Sequence, residues 1–176
     1  MQIQLMQLSS IYAHLTTKLA TIYLPHLNAA LAEFEINTPL RVAAFLAQIG
    51  HESGELRWWV EFADGKAYEG RKDLGNTQPG DGPRYKGRSP VQLTGRNNYL
   101  KAGTALGVDL IAHPERAADA DIGFRIAGWF WKTHNLNDLA DKQLFDSLTK
   151  AINGGYNGKA HRDALYKTAK TVLGIK

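Results

Sequence analysis

The stretch from Thr38 to Gly54 constrains this chain more than any other. Thr38 offers a hydroxyl at a helix N-cap, and Pro39 stands at the first helical position. From Leu40 to Ile49 the residues are apolar almost all the way round, interrupted by Arg41 and Gln48. A helix of that composition is buried. It then runs into His51, Glu52 and Ser53, with Gly54 as its stop. Gln48 and Glu52, four apart, share one face, and Arg41 lies two turns back on roughly the same side. A carboxylate delivered by a core helix costs free energy unless it is paired or has a task. The C-terminal end of a helix also disfavours negative charge, which suits a residue that holds a proton in order to give it away.

The rest of the composition limits the options. The chain has 176 residues, which is most simply one domain over 1–176, large enough to bury its own core. It contains no cysteine, which excludes disulfides, a thiolate nucleophile and cysteine-based zinc sites. A net charge of +4 is compatible with an anionic partner or with an ordinary solvated surface. No apolar run approaches the roughly 18 residues of a membrane span. The N-terminus has no Lys or Arg before Lys18 and no long apolar core, so no secretory signal is expected.

Periodicity predicts a mainly helical chain. One helix is expected from Ser10 to Leu24, stopped by Pro25, and a second carries Leu27, Leu31 and Phe34. The buried helix at 39–53 follows. From Asp64 to Pro90 turn signals crowd together, in Asp64-Gly65, Gly75-Asn76 and Pro79 to Pro83, so this segment reads as irregular or as a small sheet. Short strands are expected at Tyr85 and at Val91 to Leu93. Thr94 is placed as the cap of a helix ending at Gly107, and Pro114 opens another with Ile122, Ile126, Trp129 and Phe130 on its packed face. Leu144, Leu148 and Ile152 mark a further helix ending at Asn153-Gly154-Gly155, and Leu165, Ala169 and Val172 mark the last. The expected class is mainly α, with an α+β character confined to the Gly-rich segment.

Carboxylates are the best candidates for chemistry. Glu52 and Glu61 are nine residues apart across a glycine, close enough in sequence for a turn to bring them across a cleft. Two carboxyls in different surroundings can divide acid and base work. An incidental pair of surface charges is the competing reading. Glu69 is a third candidate, read as a structural partner of Arg71, Arg84 or Arg88, and Glu55 reads as a solvated surface charge. His51-Glu52 lacks the second histidine of a zinc motif, because position 55 is glutamate. His51 is therefore assigned a supporting role, and no metal or other cofactor is expected. The tract from Arg84 to Tyr99, with Tyr85, Arg88, Gln92, Thr94, Asn98 and Tyr99, suits a hydroxyl-rich ligand with aromatic faces for sugar rings. Self-satisfaction of an irregular backbone, or a nucleic-acid groove, remain the alternatives.

These residues, taken in order, resemble glycoside hydrolase family 19. The resemblance rests on Phe45-Leu-Ala-Gln-x-x-His51-Glu52-Ser53, Glu61 nine residues on, Gly87-Arg88-x-Pro90-x-Gln92-Leu93-Thr94 with Asn98-Tyr99, and Asn153-Gly-Gly155. It spans about residues 38 to 174, and the insert from Lys72 to Gly82 looks like the phage endolysin branch of that family. Two residues depart from the pattern: Ser89 and Glu55 stand where glycines are usual. The resemblance implies a lysozyme-like, two-lobed helical architecture around a cleft, and an inverting, metal-free glycosidase. By position it implies Glu52 as general acid and Glu61 as general base, with Thr94 helping to hold the attacking water. It also implies Gln92, Asn98, Tyr99 and Asn153 in the sugar cleft.

The expected substrate is the β-1,4 glycan backbone of bacterial peptidoglycan, with chitin as the alternative. A non-catalytic glycan-binding or nucleic-acid-binding domain is a third reading. The expected protein is a monomer without a nucleic-acid partner, stable membrane insertion or a separate wall-binding module. It would be made in the host cytoplasm and reach the wall after membrane permeabilisation by another protein. Lys159, Arg162, Lys167 and Lys170 on the last helix would either meet an anionic envelope or face solvent.

Overall fold

The computed structural model describes residues 1–175. Among the described residues nine helices follow in order: α1 Leu5–Ile11, α2 Thr17–Glu33, α3 Pro39–Glu52, α4 Asp81–Arg84, α5 Arg96–Leu106, α6 Ala120–Thr133, α7 Leu136–Asp141, α8 Phe145–Asn153 and α9 Lys159–Val172. Single 3₁₀ turns stand at Lys66–Tyr68 and Lys72–Leu74, and a longer one spans Pro114–Ala118.

α3 is the centre, with every residue from Val42 to Gly50 buried. Its start is as the sequence indicates, since the Thr38 hydroxyl accepts the Arg41 amide at 3.3 Å and Pro39 follows. α3 packs most extensively on α9, while α2 packs on α6 and α1 bridges α2 and α9. Tyr12, just past α1 and fully buried, donates its hydroxyl to the Leu46 carbonyl at 2.6 Å. Burial of aliphatic and aromatic side chains on this scale is the main favourable term in the fold. Among the described residues no helix is long and apolar enough to cross a membrane.

The structure corrects several sequence expectations. Pro25 does not end a helix: α2 runs through it. An internal proline costs about 3 kcal/mol. Here Pro25 and Thr21, whose carbonyl loses its helical partner, are both exposed, and α2 buries Ala20, Leu27, Ala30 and Leu31. Thr94 does not cap α5; Gly95 does, and the Thr94 hydroxyl donates instead to the Gln92 carbonyl at 2.9 Å. The α+β expectation reduces to two isolated antiparallel bridges among the described residues, Val60 with Arg88 and Arg88 with Leu93. Ser89 and Gln92 have φ of 72° and 53°, which breaks the extended run a strand needs.

Candidate active site

Glu52 is the last residue of α3, with its side chain 26% exposed. Its Oε1 accepts a hydrogen bond from Arg162 Nη2 at 2.5 Å. Arg162, on α9, is only 1% exposed and also donates Nη1 to Gln48 Oε1 at 2.5 Å and Nε to the Asn157 carbonyl at 3.3 Å. Gln48 in turn donates to Thr149 on α8 at 2.8 Å. The shared face of Gln48 and Glu52 therefore converges on one buried guanidinium. Glu52 Oε2 has no hydrogen-bond partner among the described residues, leaving one oxygen braced and the other available.

Sequence reasoning missed this role of Arg162, grouping it with the lysines of an outer face. The signal was present in α3. An acid and an amide at helical spacing on a buried stretch require a donor from whatever packs there, since an uncompensated buried charge is costly. The same rule was missed at Glu55. It is buried, not solvated, and accepts from the His14 amide at 2.8 Å and the His14 ring at 2.7 Å. Burial works to raise its pKa, but the bonds from the His14 amide and ring prevail and hold it below the usual carboxylate value.

Between the two candidate carboxylates the backbone makes an unusual turn. Gly54, Glu55 and Leu56 have φ of 56°, 61° and 63°, three left-handed residues in succession. A non-glycine residue there costs roughly 1–2 kcal/mol. The turn is held by Ser53, whose hydroxyl donates to the Ile49 carbonyl at 2.6 Å and accepts the Leu56 amide at 2.8 Å. The buried Leu56 and the Glu55–His14 bonds also hold it. Beyond it Trp59 is anchored in the core, stacked on Tyr23 and edge-on to Phe124, each at 4.9 Å between ring centres. Its neighbour Trp58 is left outside, 48% exposed.

Glu61 then meets the Gly87 segment. Its Oε1 accepts from the Tyr68 hydroxyl at 2.9 Å and its Oε2 from the Gly87 amide at 3.0 Å, while its own amide donates to the Gly87 carbonyl at 2.9 Å. Burial, and then the bond to Glu61 and its charge, raise the Tyr68 phenol pKa, so it remains a donor. A Cβ at position 87 would come within 2.6 Å of Gln92 Oε1 and 3.1 Å of Glu61 Oε2, so any larger residue must displace the ends of both side chains.

Glu52 and Glu61 line one cavity of about 300 Å³, together with Trp58, Val60, Phe62 and Gln92. Trp58 and Phe62 lie 5.2 Å apart at 59°, and Phe62 is 82% exposed. Such exposure suits aromatic faces that a ligand covers. Periodicity gave no reason to single out these two rings. Gln92 also borders a second cavity of about 600 Å³ that holds Thr94 and Asn98. Thr94 thus supports the turn that carries Gln92, and Asn98 donates to the Thr94 carbonyl at 2.8 Å.

Other sequence candidates fall elsewhere. Tyr85, Tyr99 and Arg88, expected to bind sugar, direct their polar atoms to backbone carbonyls or to each other. Both tyrosines are buried, and burial pushes the Tyr99 phenol up to about 12, against the bond and charge of Arg88. Tyr99 donates to the Lys86 carbonyl at 2.7 Å and accepts from Arg88 Nη1 at 2.9 Å, while Tyr85 donates to the Ile111 carbonyl at 3.2 Å. Tyr99 and Arg88 thereby brace Lys86, next to the Gly87 that holds Glu61. Asn153, at the end of α8, donates to the Asn157 carbonyl at 3.5 Å and lies outside the Glu52–Glu61 cavity.

Glu69 also lies outside that cavity, and its expected arginine partners are not the observed ones. Its carboxylate accepts the Gly80 amide at 2.7 Å and the Gly82 amide at 2.8 Å, because the turn directs free amides inward while Arg71 pairs with Asp73. His51 shares a proton position with His161, their Nδ1 atoms 2.9 Å apart. Burial first, and then the Arg162 charge, lower the His51 pKa. Among the described residues no group of three or more His, Asp or Glu is placed to hold a metal.

Comparison with known proteins agrees with this architecture. A family model for class I chitinases matches residues 30–164. A Haemophilus influenzae protein described as containing a glycosyl hydrolase family 19 domain is 31% identical over 160 residues, covering 73% of this chain and 78% of that protein. The acidic endochitinase Q of Nicotiana tabacum is 43% identical over 94 residues, 52% of this chain and 34% of the relative. The chain thus spans well under half of the plant enzymes it matches. A crystal structure of a bacterial family 19 chitinase superposes with a TM-score of 0.81 at 26% identity, covering 99% of this chain and 96% of the other. Chitinase C of Streptomyces griseus, at 23% identity and a TM-score of 0.80, shares the fold over 98% of this chain and 76% of its own. The chain belongs to glycoside hydrolase family 19.

Proposed function

We propose that this protein is an endolysin that hydrolyses the β-1,4 glycan backbone of bacterial peptidoglycan with inversion at the anomeric carbon. The observation that carries the catalytic reading is the pair Glu52 and Glu61 on one open cavity, held by opposite means. Glu52 is braced through one oxygen by Arg162, and its other oxygen gives a proton to the leaving glycosidic oxygen. Glu61, held as an acceptor by the Tyr68 hydroxyl and the Gly87 amide, takes a proton from the water that attacks the opposite face of the sugar. Trp58 and Phe62 offer aromatic faces to pyranose rings. Gln92 stands beside Gly87 within reach of the same space. Thr94 acts through the Gln92 carbonyl.

The choice of peptidoglycan is supported by the endolysin-like segment from Lys72 to Gly82 and by a net charge of +4 suited to an anionic envelope. Access to the wall would then follow membrane permeabilisation by a separate protein. Chitin is the second reading, favoured by relatives that are named endochitinases. Purified cell walls and soluble chitin oligomers, each treated with the wild type and with Glu52→Gln, separate the two. Turbidity loss and reducing ends from walls, absent in Glu52→Gln, are expected. Cleavage confined to chitin oligomers would remove peptidoglycan as the substrate. NMR of the first products gives the anomer, and retention would overturn the assignment of Glu61 as base.

A further inference from the structure

The carboxylate of Glu61 is held by Tyr68 and Gly87, while its backbone is held by a residue with no part in the catalytic reading. The segment from Glu61 to Gly65 lies in no helix or strand, so its carbonyls need partners from elsewhere. Two of them share one. Lys86 Nζ donates to the Glu61 carbonyl and to the Ala63 carbonyl, each at 3.0 Å. An ammonium has three donors, and its bonds to carbonyls are stronger than neutral ones. Asp64, in the same turn, pairs instead with Lys66 at 2.9 Å. Lys86 is itself fixed: its carbonyl accepts from the Tyr99 hydroxyl at 2.7 Å and from Arg88 Nη1 at 3.5 Å, and Tyr99, on α5, is fully buried. Its stem passes Gly65, where an added Cβ would stand 2.9 Å from the Lys86 Cβ and 2.8 Å from the Gly82 carbonyl oxygen. With φ of 82° at Gly65, the turn closes on that stem only with glycine there. A continuous path thus runs from the buried framework through Lys86 to the backbone of Glu61.

We propose that Lys86 is a positioning residue for Glu61, its ammonium holding the backbone of residues 61–63 so that the carboxylate keeps one place on its wall of the cleft. Tyr68 and the Gly87 amide fix the far end of the Glu61 side chain. Lys86 fixes the end at which that side chain leaves the backbone. Without the ammonium the two carbonyls turn to water and the segment that carries Glu61 is free to shift. Misplacement of a catalytic group by about 1 Å costs up to 10²-fold in rate. The inference rests on Glu61 as the base, and not on which glycan is cut.

The test measures kcat and KM for wild type, Lys86→Met and Lys86→Arg, each with Glu61 intact and with Glu61→Gln. The substrate is a soluble N-acetylglucosamine oligomer or soluble peptidoglycan fragments, whichever the wild type cleaves. Lys86→Met keeps the apolar stem and removes every donor. With Glu61 intact it is expected to lower kcat about 10–100-fold, with a smaller change in KM. In the Glu61→Gln background, where no base remains to be positioned, it should change kcat little. Lys86→Arg keeps the charge and the donors and recovers most of the loss. An unchanged kcat in Lys86→Met overturns the proposal. The same fold-loss in both backgrounds also overturns it, because a lysine that only stabilises the loop acts whether or not residue 61 is a base. If Lys86→Met does not fold, Lys86→Gln, a shorter neutral donor, is read in the same two backgrounds by the same criteria. Full activity of Glu61→Gln defeats the assignment of the base, and this inference with it. A strongly impaired Glu61→Gln beside an unaffected Lys86→Met defeats this inference alone.

Discussion

The two walls of the candidate cleft are built on different principles. Glu52 comes from α3, a capped and buried helix, and is fixed by a single buried cation on a facing helix. Glu61 comes from an irregular segment and is fixed by one phenol and one backbone amide. The first wall draws its rigidity from packing, so damage to its support should reach the whole fold. The second draws it from local hydrogen bonds and backbone shape, so damage there should stay near the site. A proton donor and a proton acceptor need different surroundings, and the proposed roles of Glu52 and Glu61 match this difference in construction.

The largest expected effect comes from removing either carboxylate. Glu52→Gln and Glu61→Gln should each lower kcat by about 10²–10⁴-fold, the usual span for a general acid or base; melting temperature should stay nearly unchanged in Glu61→Gln and fall in Glu52→Gln, which leaves the buried Arg162 without its counter-charge. Full activity in Glu61→Gln together with loss in Glu69→Gln would move the base to the other side of the loop. Next in size is Arg162→Met. It strands Gln48 and Glu52 and should cost about 3–5 kcal/mol in urea unfolding, as well as activity. Loss of activity without loss of stability would show that the helical wall is not braced through this residue.

Gly87→Ala tests the opposite wall. The added methyl displaces Gln92 and Glu61, and a fall in kcat of about tenfold or more is expected with a smaller change in stability, since misplacement by about 1 Å alone costs up to 10²-fold. If the urea midpoint of this variant falls as far as that of Arg162→Met, the contrast between the walls fails. The smallest effect is set by pH. Glu55 has a folded pKa below its ordinary value of 4.5, so its bonds to His14 contribute stability above that value and lose it as pH falls through the lower folded one. The stability advantage of wild type over Glu55→Gln should therefore shrink on acidification. An advantage that grows toward acid pH would contradict the sign.

How much of this was legible depends on the range of the interactions. The helical wall could be read almost residue by residue, from the Thr38 cap and Pro39 to the burial of 42–50 and the common face of Gln48 and Glu52. These features are local, and local propensity and periodicity report them. Pro25 misled because its intrinsic cost is outweighed by packing of α2 on α6. For Tyr85, Arg88 and Tyr99 composition cannot say whether a polar side chain faces a ligand or its own backbone, and in the structure their polar atoms meet backbone carbonyls or each other.

By itself the sequence determined a helical protein organised on α3 and the nine-residue spacing of its two candidate carboxylates. Tertiary structure alone decided that Arg162, 110 residues from Glu52, grips it. It alone decided that three left-handed residues turn the chain so that Glu61 reaches Gly87, and that Trp58 faces outward while Trp59 is buried. The physical reason is the same each time. Whether a buried charge is paired, or a strained turn held, depends on groups brought close only when the chain packs, and those groups carry no fixed spacing along it.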